Sequence, residues 1–444
     1  MVYDGKNQKT DKNKKVLVAM TGRVSSTVAA YLLKKQGFTP IGIGIELFKE
    51  ESPFEYDNTF FPGFSKQAFD AAGLSNPLRN HYHIDNIEEV KEMADRLEIS
   101  FYGVSAQEHY YDKVQDPFIA SRLMGRLFTP SLHVTRLIIE ILQEKAAKLG
   151  ADWIATGHYA KVLHSSDGKT SSVYVSNDIA EDQSFQFGFL KQNHLHNLIL
   201  PLSEMRYSET QKIAKLIGVR EDIKTDLQAD TEFVEDPRVP SLVNRYSPFS
   251  LREEGDIYHY FNDIILGDHD GIQLFYPGKE KLSTRMTPIM DTSLSVVKIF
   301  PGFRRVVVAD KTKVTYTHVY CRNFNGSADV DLSRPVGGYL KLPGEEEKVS
   351  CTLFFKNNGY VLFRFNKPRE GILYTGSNLT FYSKKSLGGK LLGTAEVFTS
   401  VEFIRNSFRD MPPRDPELDQ IQAEKEAENV NPYETKYTDN KHHF

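Results

Sequence analysis

The residues best suited to chemistry lie near the start of the chain, in Val18-Ala19-Met20-Thr21-Gly22-Arg23-Val24-Ser25-Ser26-Thr27-Val28-Ala29-Ala30. An apolar run ends at a glycine turn and a helix-spaced pattern follows. Glycine lets backbone N–H groups approach an anion, and the N-terminus of the next helix adds its dipole, so this arrangement could cradle phosphate, although glycine and serine also mark ordinary strand-to-helix turns. Thr21, Ser25, Ser26 and Thr27 supply hydroxyls, and Arg23 supplies a cation or fills the space an anion would take. A second polar group, Thr156-Gly157-His158-Tyr159, follows another short apolar run; His158 there has a binding role or a structural turn role. His133, between Leu132 and Val134, could act as a base or ligand, but a surface or packing role is the simpler reading. Only two cysteines occur, Cys321 and Cys351, both in apolar alternation, and their spacing fits neither a zinc site nor a redox pair. We read them as buried structural thiols and expect no metal site.

These residues need a scaffold of strands and helices in alternation. Val16 to Met20, Ile41 to Leu47 and Trp153 to Thr156 read as buried strands. Asp85-Asn86 reads as the cap of a helix with the stripe Ile87, Val90, Ala94 and Leu97; Ile138 to Leu149 and Glu209 to Ile217 are further helices. Such alternation predicts an α/β fold with a mainly parallel sheet, and ligands at the carboxyl ends of its strands. Asp236 to Pro248 reads as irregular. After Met290 the pattern turns to β-type alternation (Arg305 to Val308, Val314 to Tyr320, Val349 to Phe355, Tyr360 to Phe365), with turns at Asn325-Gly326 and Asn358-Gly359, which predicts a small antiparallel barrel. The expected divisions are a polar extension over 1–14, an α/β domain over 15–205, a central domain over 206–290, a β-barrel over 291–405 and a charged tail over 406–444.

The chain has 444 residues, 40% hydrophobic and 26% charged, with a formal net charge of −4. That length exceeds what one core supports and implies several domains. The charge gives no overall basic signature for nucleic acid, although a local basic face is compatible with it. No apolar run is long enough to span a membrane. The Lys-rich N-terminus lacks an apolar segment, so it reads as neither a signal nor a typical transit peptide, and a cytoplasmic address is the default.

The motifs in their order resemble the tRNA 2-thiouridylase family of PP-loop pyrophosphatases. Leu149-Gly150-Ala151-Asp152-Trp153-Ile154-Ala155-Thr156-Gly157-His158-Tyr159-Ala160 is similar to the family's L-G-A-D-Y-I-A-T-G-H-Y-A, and Glu181-Asp182-Gln183-Ser184-Phe185 to its K-D-Q-S-[YF]. Gly267-Asp268-His269-Asp270-Gly271-Ile272 resembles G-x-H-x-G-[LI]. The resemblance runs from Lys15 to Tyr276 in sequence and further in architecture. It implies a PP-loop α/β domain, a central tRNA-contacting domain and a C-terminal β-barrel. It also implies adenylation of a tRNA uridine with ATP, followed by sulfur transfer through two cysteines.

Departures from the family pattern fall on its chemistry. Against the PP-loop form S-G-G-x-D-S-S, Arg23 replaces the second glycine and Ser25 the aspartate of the nucleotide and magnesium site. The family's G-R-T-P-N-P-D-x-x-C-N corresponds to Gly125 to Arg136, and D-S-x-G-I-C-F to Asp226 to Phe233, with Thr231 or Glu232 at the cysteine. No cysteine precedes Cys321. Only a thiolate can hold and pass on sulfane sulfur. The expectation is therefore a pseudoenzyme without catalytic residues. Its vestigial nucleotide site would be Thr21, Gly22, Arg23, Ser25, Ser26, Thr27, Gly157 and His158, with no cofactor unless ATP still binds the altered loop. Expected partners are proteins of a large assembly, such as a ribosome, respiratory complex or ATP synthase, and tRNA. Because eukaryotic family members are mitochondrial, that compartment is the expectation and the cytoplasm the alternative. An active sulfurtransferase with an unusual sulfur carrier, or a non-catalytic tRNA- or nucleotide-binding protein, remain competing readings.

Overall fold

The computed structural model describes residues 13–47, 87–219, 239–246, 253–261, 264–345, 347–356 and 359–399. Its first unit is a five-stranded sheet of β1 (Lys15–Ala19), β2 (Thr39–Glu46), β3 (Ser100–Ser105), β4 (Trp153–Ala155) and β7 (Leu198–Ile199), ordered β3-β2-β1-β4-β7. Every pairing is parallel. Val16, Leu17 and Val18 are all 0% exposed, which only a sheet covered on both faces permits. Val16 and Val18 pack with Ala30 and Leu33 of α1 (Val24–Lys35) and with Val90 and Ala94 of α2 (Ile87–Arg96). Leu17 turns to the opposite face, among side chains that include Phe118 of α3 (Asp116–Leu123) and Ile138 and Leu142 of α4 (Pro130–Leu149). Strand order runs in opposite directions from β1, so the crevice between the ends of β1 and β4 is the natural ligand position.

The hairpin of β5 (Lys161–His164) and β6 (Ser171–Tyr174) follows β4, and α5 (Tyr207–Leu216) closes the first unit. Residues Val239–Tyr246, read from sequence as irregular, form helix α6. Pro240 falls in the first turn, where a missing N–H costs nothing, and Val239, Leu242 and Val243 make a fully buried stripe. A second sheet, ordered β10-β11-β8-β9, combines β8 (Gly255–His259), β9 (Ile264–His269), β10 (Leu294–Phe300) and β11 (Arg305–Asp310).

That sheet moves one expected boundary. β10 and β11 lie after residue 290 yet hydrogen-bond with each other and, through β11, with β8, so the central unit runs on to Asp310. Alternation in Arg305 to Val308 shows a half-buried strand without showing to which sheet it belongs. The barrel starts at β12 (Thr315–Gly326) and adds β13 (Val336–Lys341), β14 (Val349–Phe355), β15 (Val361–Glu370), β16 (Asn378–Tyr382) and β17 (Leu391–Thr399). It closes in the order β12-β15-β14-β13-β16-β17. Asn325-Gly326, expected as a turn, is the end of β12 and still pairs with Thr394 and Gly393 of β17. The other expected turn is represented by Gly359 alone, since Asn358 lies outside the described residues. So do the Asp85-Asn86 cap, the 226–233 segment, most of the polar extension and the charged tail. Among the described residues no helix is long and apolar enough to cross a membrane.

Candidate functional site

Thr21 to Thr27 lie where the sheet topology leads, between the end of β1 and the start of α1. Gly22 turns the chain with φ +77°, and Arg23 is the extended N-cap residue of α1, its side chain making no capping bond. The loop bonds to itself. Thr21 N–H donates to Ser26 Oγ at 3.1 Å, the Thr21 and Ser26 hydroxyls are 3.1 Å apart, and Ser26 Oγ donates to the Arg23 carbonyl at 3.2 Å. With its proton on Arg23, the Ser26 oxygen accepts from Thr21. The Arg23 carbonyl also accepts Thr27 N–H at 3.1 Å, and Thr27 Oγ1 is buried without a hydrogen-bond partner. Ser25, at the aspartate position, is half-buried.

Gly157, at the exit of β4, rests on this loop. A Cβ there would stand 2.7 Å from both Ser25 C and Ser26 N, too close for any side chain, so glycine is what lets the two crossing loops touch. The structure thus brings Gly157 together with Ser25 and Ser26.

His158 points into a buried polar network. Its Nε2 lies 3.1 Å from Gln186 Oε1, its Nδ1 lies 2.8 Å from Thr156 Oγ1, and Gln186 Oε1 also accepts from Thr135 Oγ1 at 3.0 Å. An amide oxygen only accepts, so the imidazole proton sits on Nε2 and Thr156 donates to Nδ1. Burial pushes the His158 pKa down to about 4, which keeps the ring neutral. Thr135 and Gln186 were missed from sequence. Their only signal was position: Gln186 lies in the turn after Asp182-Gln183-Ser184, and Thr135 lies in the segment matched to the family's cysteine motif. Val134 is 4% exposed. Its neighbour His133 stacks on Phe128 at 4.3 Å and meets Phe189 edge-on at 5.0 Å; burial lowers its pKa to about 4 as well.

Asp182-Gln183-Ser184 serve as connectors. Gln183 accepts Tyr159 N–H at 2.9 Å and returns its own N–H to the Tyr159 carbonyl at 2.8 Å. Asp182 accepts the N–H groups of Ser176 and Ser184 at 3.0 and 3.2 Å and the Ser184 hydroxyl at 2.8 Å, while burial raises its pKa. Ser184 Oγ lies 3.0 Å from the buried Tyr382 hydroxyl of β16. Since the Ser184 proton goes to Asp182, Tyr382 is the donor, and the motif ties the first unit to the barrel. Among the described residues no group of three or more His, Cys, Asp or Glu is placed to hold a metal ion.

Residues 14–235 match the family described as the tRNA methyl transferase HUP domain. The chain is 28% identical over 395 residues to the tRNA-specific 2-thiouridylase MnmA of Rhodospirillum centenum, covering 88% of this chain and 94% of that one. It is 26% identical over 370 residues to the MnmA protein of Clostridium perfringens, covering 83% and 95%. Against the MnmA protein of Geotalea uraniireducens it is 33% identical over 279 residues, covering 62% and 68%.

Proposed function

We propose that this chain, which belongs to the MnmA family of tRNA-specific 2-thiouridylases, keeps the family scaffold without its chemistry and works as a binding or structural subunit. One observation carries the reading: no thiol is available at the crevice. The chain has no cysteine before Cys321, and Cys321 and Cys351 are 0% and 2% exposed inside the closed barrel. Burial pushes the Cys351 thiol up to about 12 and Cys321 well above its ordinary range, the reverse of what a sulfur carrier needs. Val134 and Thr135, within the segment that corresponds to the family's cysteine motif, are packed and hydrogen-bonded.

The loop supports the same reading. The Thr21 amide and the Ser26 hydroxyl, which would face a phosphate, are engaged with each other and with Arg23. Ser25 supplies no carboxylate for a metal ion, and Arg23 adds bulk at the turn. As they stand, these residues do not fit a nucleoside triphosphate with its magnesium ion.

The proposal includes protein partners in a large assembly, with a mitochondrial assembly as the first setting to test and tRNA as a retained ligand. Purified full-length protein would be given unmodified tRNA, ATP and a persulfide donor, following pyrophosphate release and thiouridine formation. The reading expects neither product; thiouridine above background would overturn it in favour of an active enzyme with an unusual sulfur carrier. Gentle recovery of the native protein adds the second arm. Co-purification in a protein assembly supports the structural role, whereas recovery as a free protein carrying tRNA, with salt-dependent affinity, replaces it with a binding role.

A further inference from the structure

Among the described residues, two of the places where the barrel touches the first unit are bonded differently. At one, Tyr382 donates to Ser184, and Asn325 Nδ2 donates to the carbonyls of Gly188 and Leu190 at 2.7 and 3.0 Å. At the other, the short loop before α4 runs against the barrel. Leu127 N–H donates to the Thr375 carbonyl at 2.9 Å, Gly376 lies against the Leu127 backbone where a side chain would collide, and Asn378 Nδ2 donates to Thr129 Oγ1 at 3.1 Å.

This second seam leaves groups poorly served. Thr129 is the N-cap residue of α4, with φ −108° and ψ 90°, yet its side chain makes no capping bond because its hydroxyl is turned to the barrel. A threonine there ordinarily accepts from the second or third helical N–H, here Ser131 or Leu132. Asn378 Oδ1 is buried with no hydrogen-bond partner. Arg126, in the same loop, is partly buried with Arg322 close enough for like-charge repulsion, offset by Glu396.

We propose that Thr129 is a two-position switch, bonded either to Asn378, which straps the 126–129 loop to the barrel, or to the Leu132 N–H, which caps α4 and frees the loop. The barrel need not leave, because Ser184, Gly188 and Leu190 hold it. In the released state Arg126 is no longer held beside Arg322. The strap is therefore a conformational control on a segment where the first unit, the central sheet and the barrel meet, since Gly125 packs on Ile299 of β10.

The test is amide hydrogen exchange on the full-length chain and on Asn378→Ala, Thr129→Ala and the double variant. With Asn378→Ala, we expect Leu127 to exchange roughly fivefold faster while Leu132 exchanges more slowly, opposite signs across five residues. Thr129→Ala on top of it removes the slowing at Leu132 and leaves Leu127 fast. If both amides speed up together, or neither moves, the exchange of partners does not occur and the proposal fails. Phe381 and Val397, in the barrel core, report whether the variant remains folded. Should Asn378→Ala fail that check, Gly376→Ala disturbs the same seam from the backbone side and must give the same opposite signs.

Discussion

The Thr21 to Thr27 loop and the Asp182-Gln183-Ser184 turn both fall on motif positions of the same family, and they differ in what they hold. In the turn each of the three matching residues holds structure together. Asp182 gathers three donors, Gln183 pairs with the Tyr159 backbone, and Ser184 reaches the barrel. In the loop the two positions that depart, Arg23 and Ser25, contribute through their backbone, the Arg23 carbonyl accepting from Ser26 and Thr27 and the Ser25 backbone lying against Gly157, which matches. The difference teaches that a motif is a composite. Residues that hold elements together are constrained by folding, whereas residues that answer only to a ligand are not held by the scaffold.

Changes on the scaffold side should break this comparison most strongly. Gly157→Ala forces a methyl into the Ser25–Ser26 backbone and should cost about 3 kcal/mol, read as a lower urea midpoint with unchanged slope. A loss under about 1 kcal/mol would mean that the two loops can separate freely.

Acid should act next. His158 is held near pKa 4 when folded, below its ordinary 6.5, so between those values the unfolded chain binds the proton first. Stability is full above about pH 6.5 and falls as pH drops through that window, by about 2 kcal/mol from this residue at pH 5. His133 adds a loss of the same sign. Urea unfolding at pH 7 and pH 5 measures the sum, and His158→Gln should flatten the dependence; an unchanged slope in that variant would assign the effect elsewhere.

Smaller still, Tyr382→Phe removes the donor to Ser184 and should cost about 1 kcal/mol while loosening the barrel seam, visible as faster exchange at the 184–190 amides. The smallest change in stability belongs to the loop itself. Arg23→Gly with Ser25→Asp should leave stability within about 0.5 kcal/mol. It should nonetheless raise ATP affinity, measured by calorimetry, above that of the unaltered chain. Equal affinity in both would show that the two departures are not what separates this loop from a nucleotide site.

The parallel sheet and the barrel were legible because periodicity reports burial: Val16, Leu17 and Val18 could only be a strand covered on both sides. The turn between β1 and α1 was legible from glycine and hydroxyl spacing. What the sequence did not disclose depended on long-range pairing. β10 and β11 show the same alternation as the barrel strands but hydrogen-bond elsewhere, and helix α6 was concealed by its proline and charged flanks. The partners of His158 were hidden for the same reason, since Thr135 and Gln186 reach it from distant parts of the chain.

The closed barrel also turns its two cysteines into a built-in stopwatch. Because Cys321 and Cys351 face an interior sealed on all sides by paired strands, a thiol reagent can reach either only when the barrel opens. Labelling rates of the native chain therefore count barrel openings without any introduced probe, and they start from zero background, since the rest of the sequence contains no other thiol.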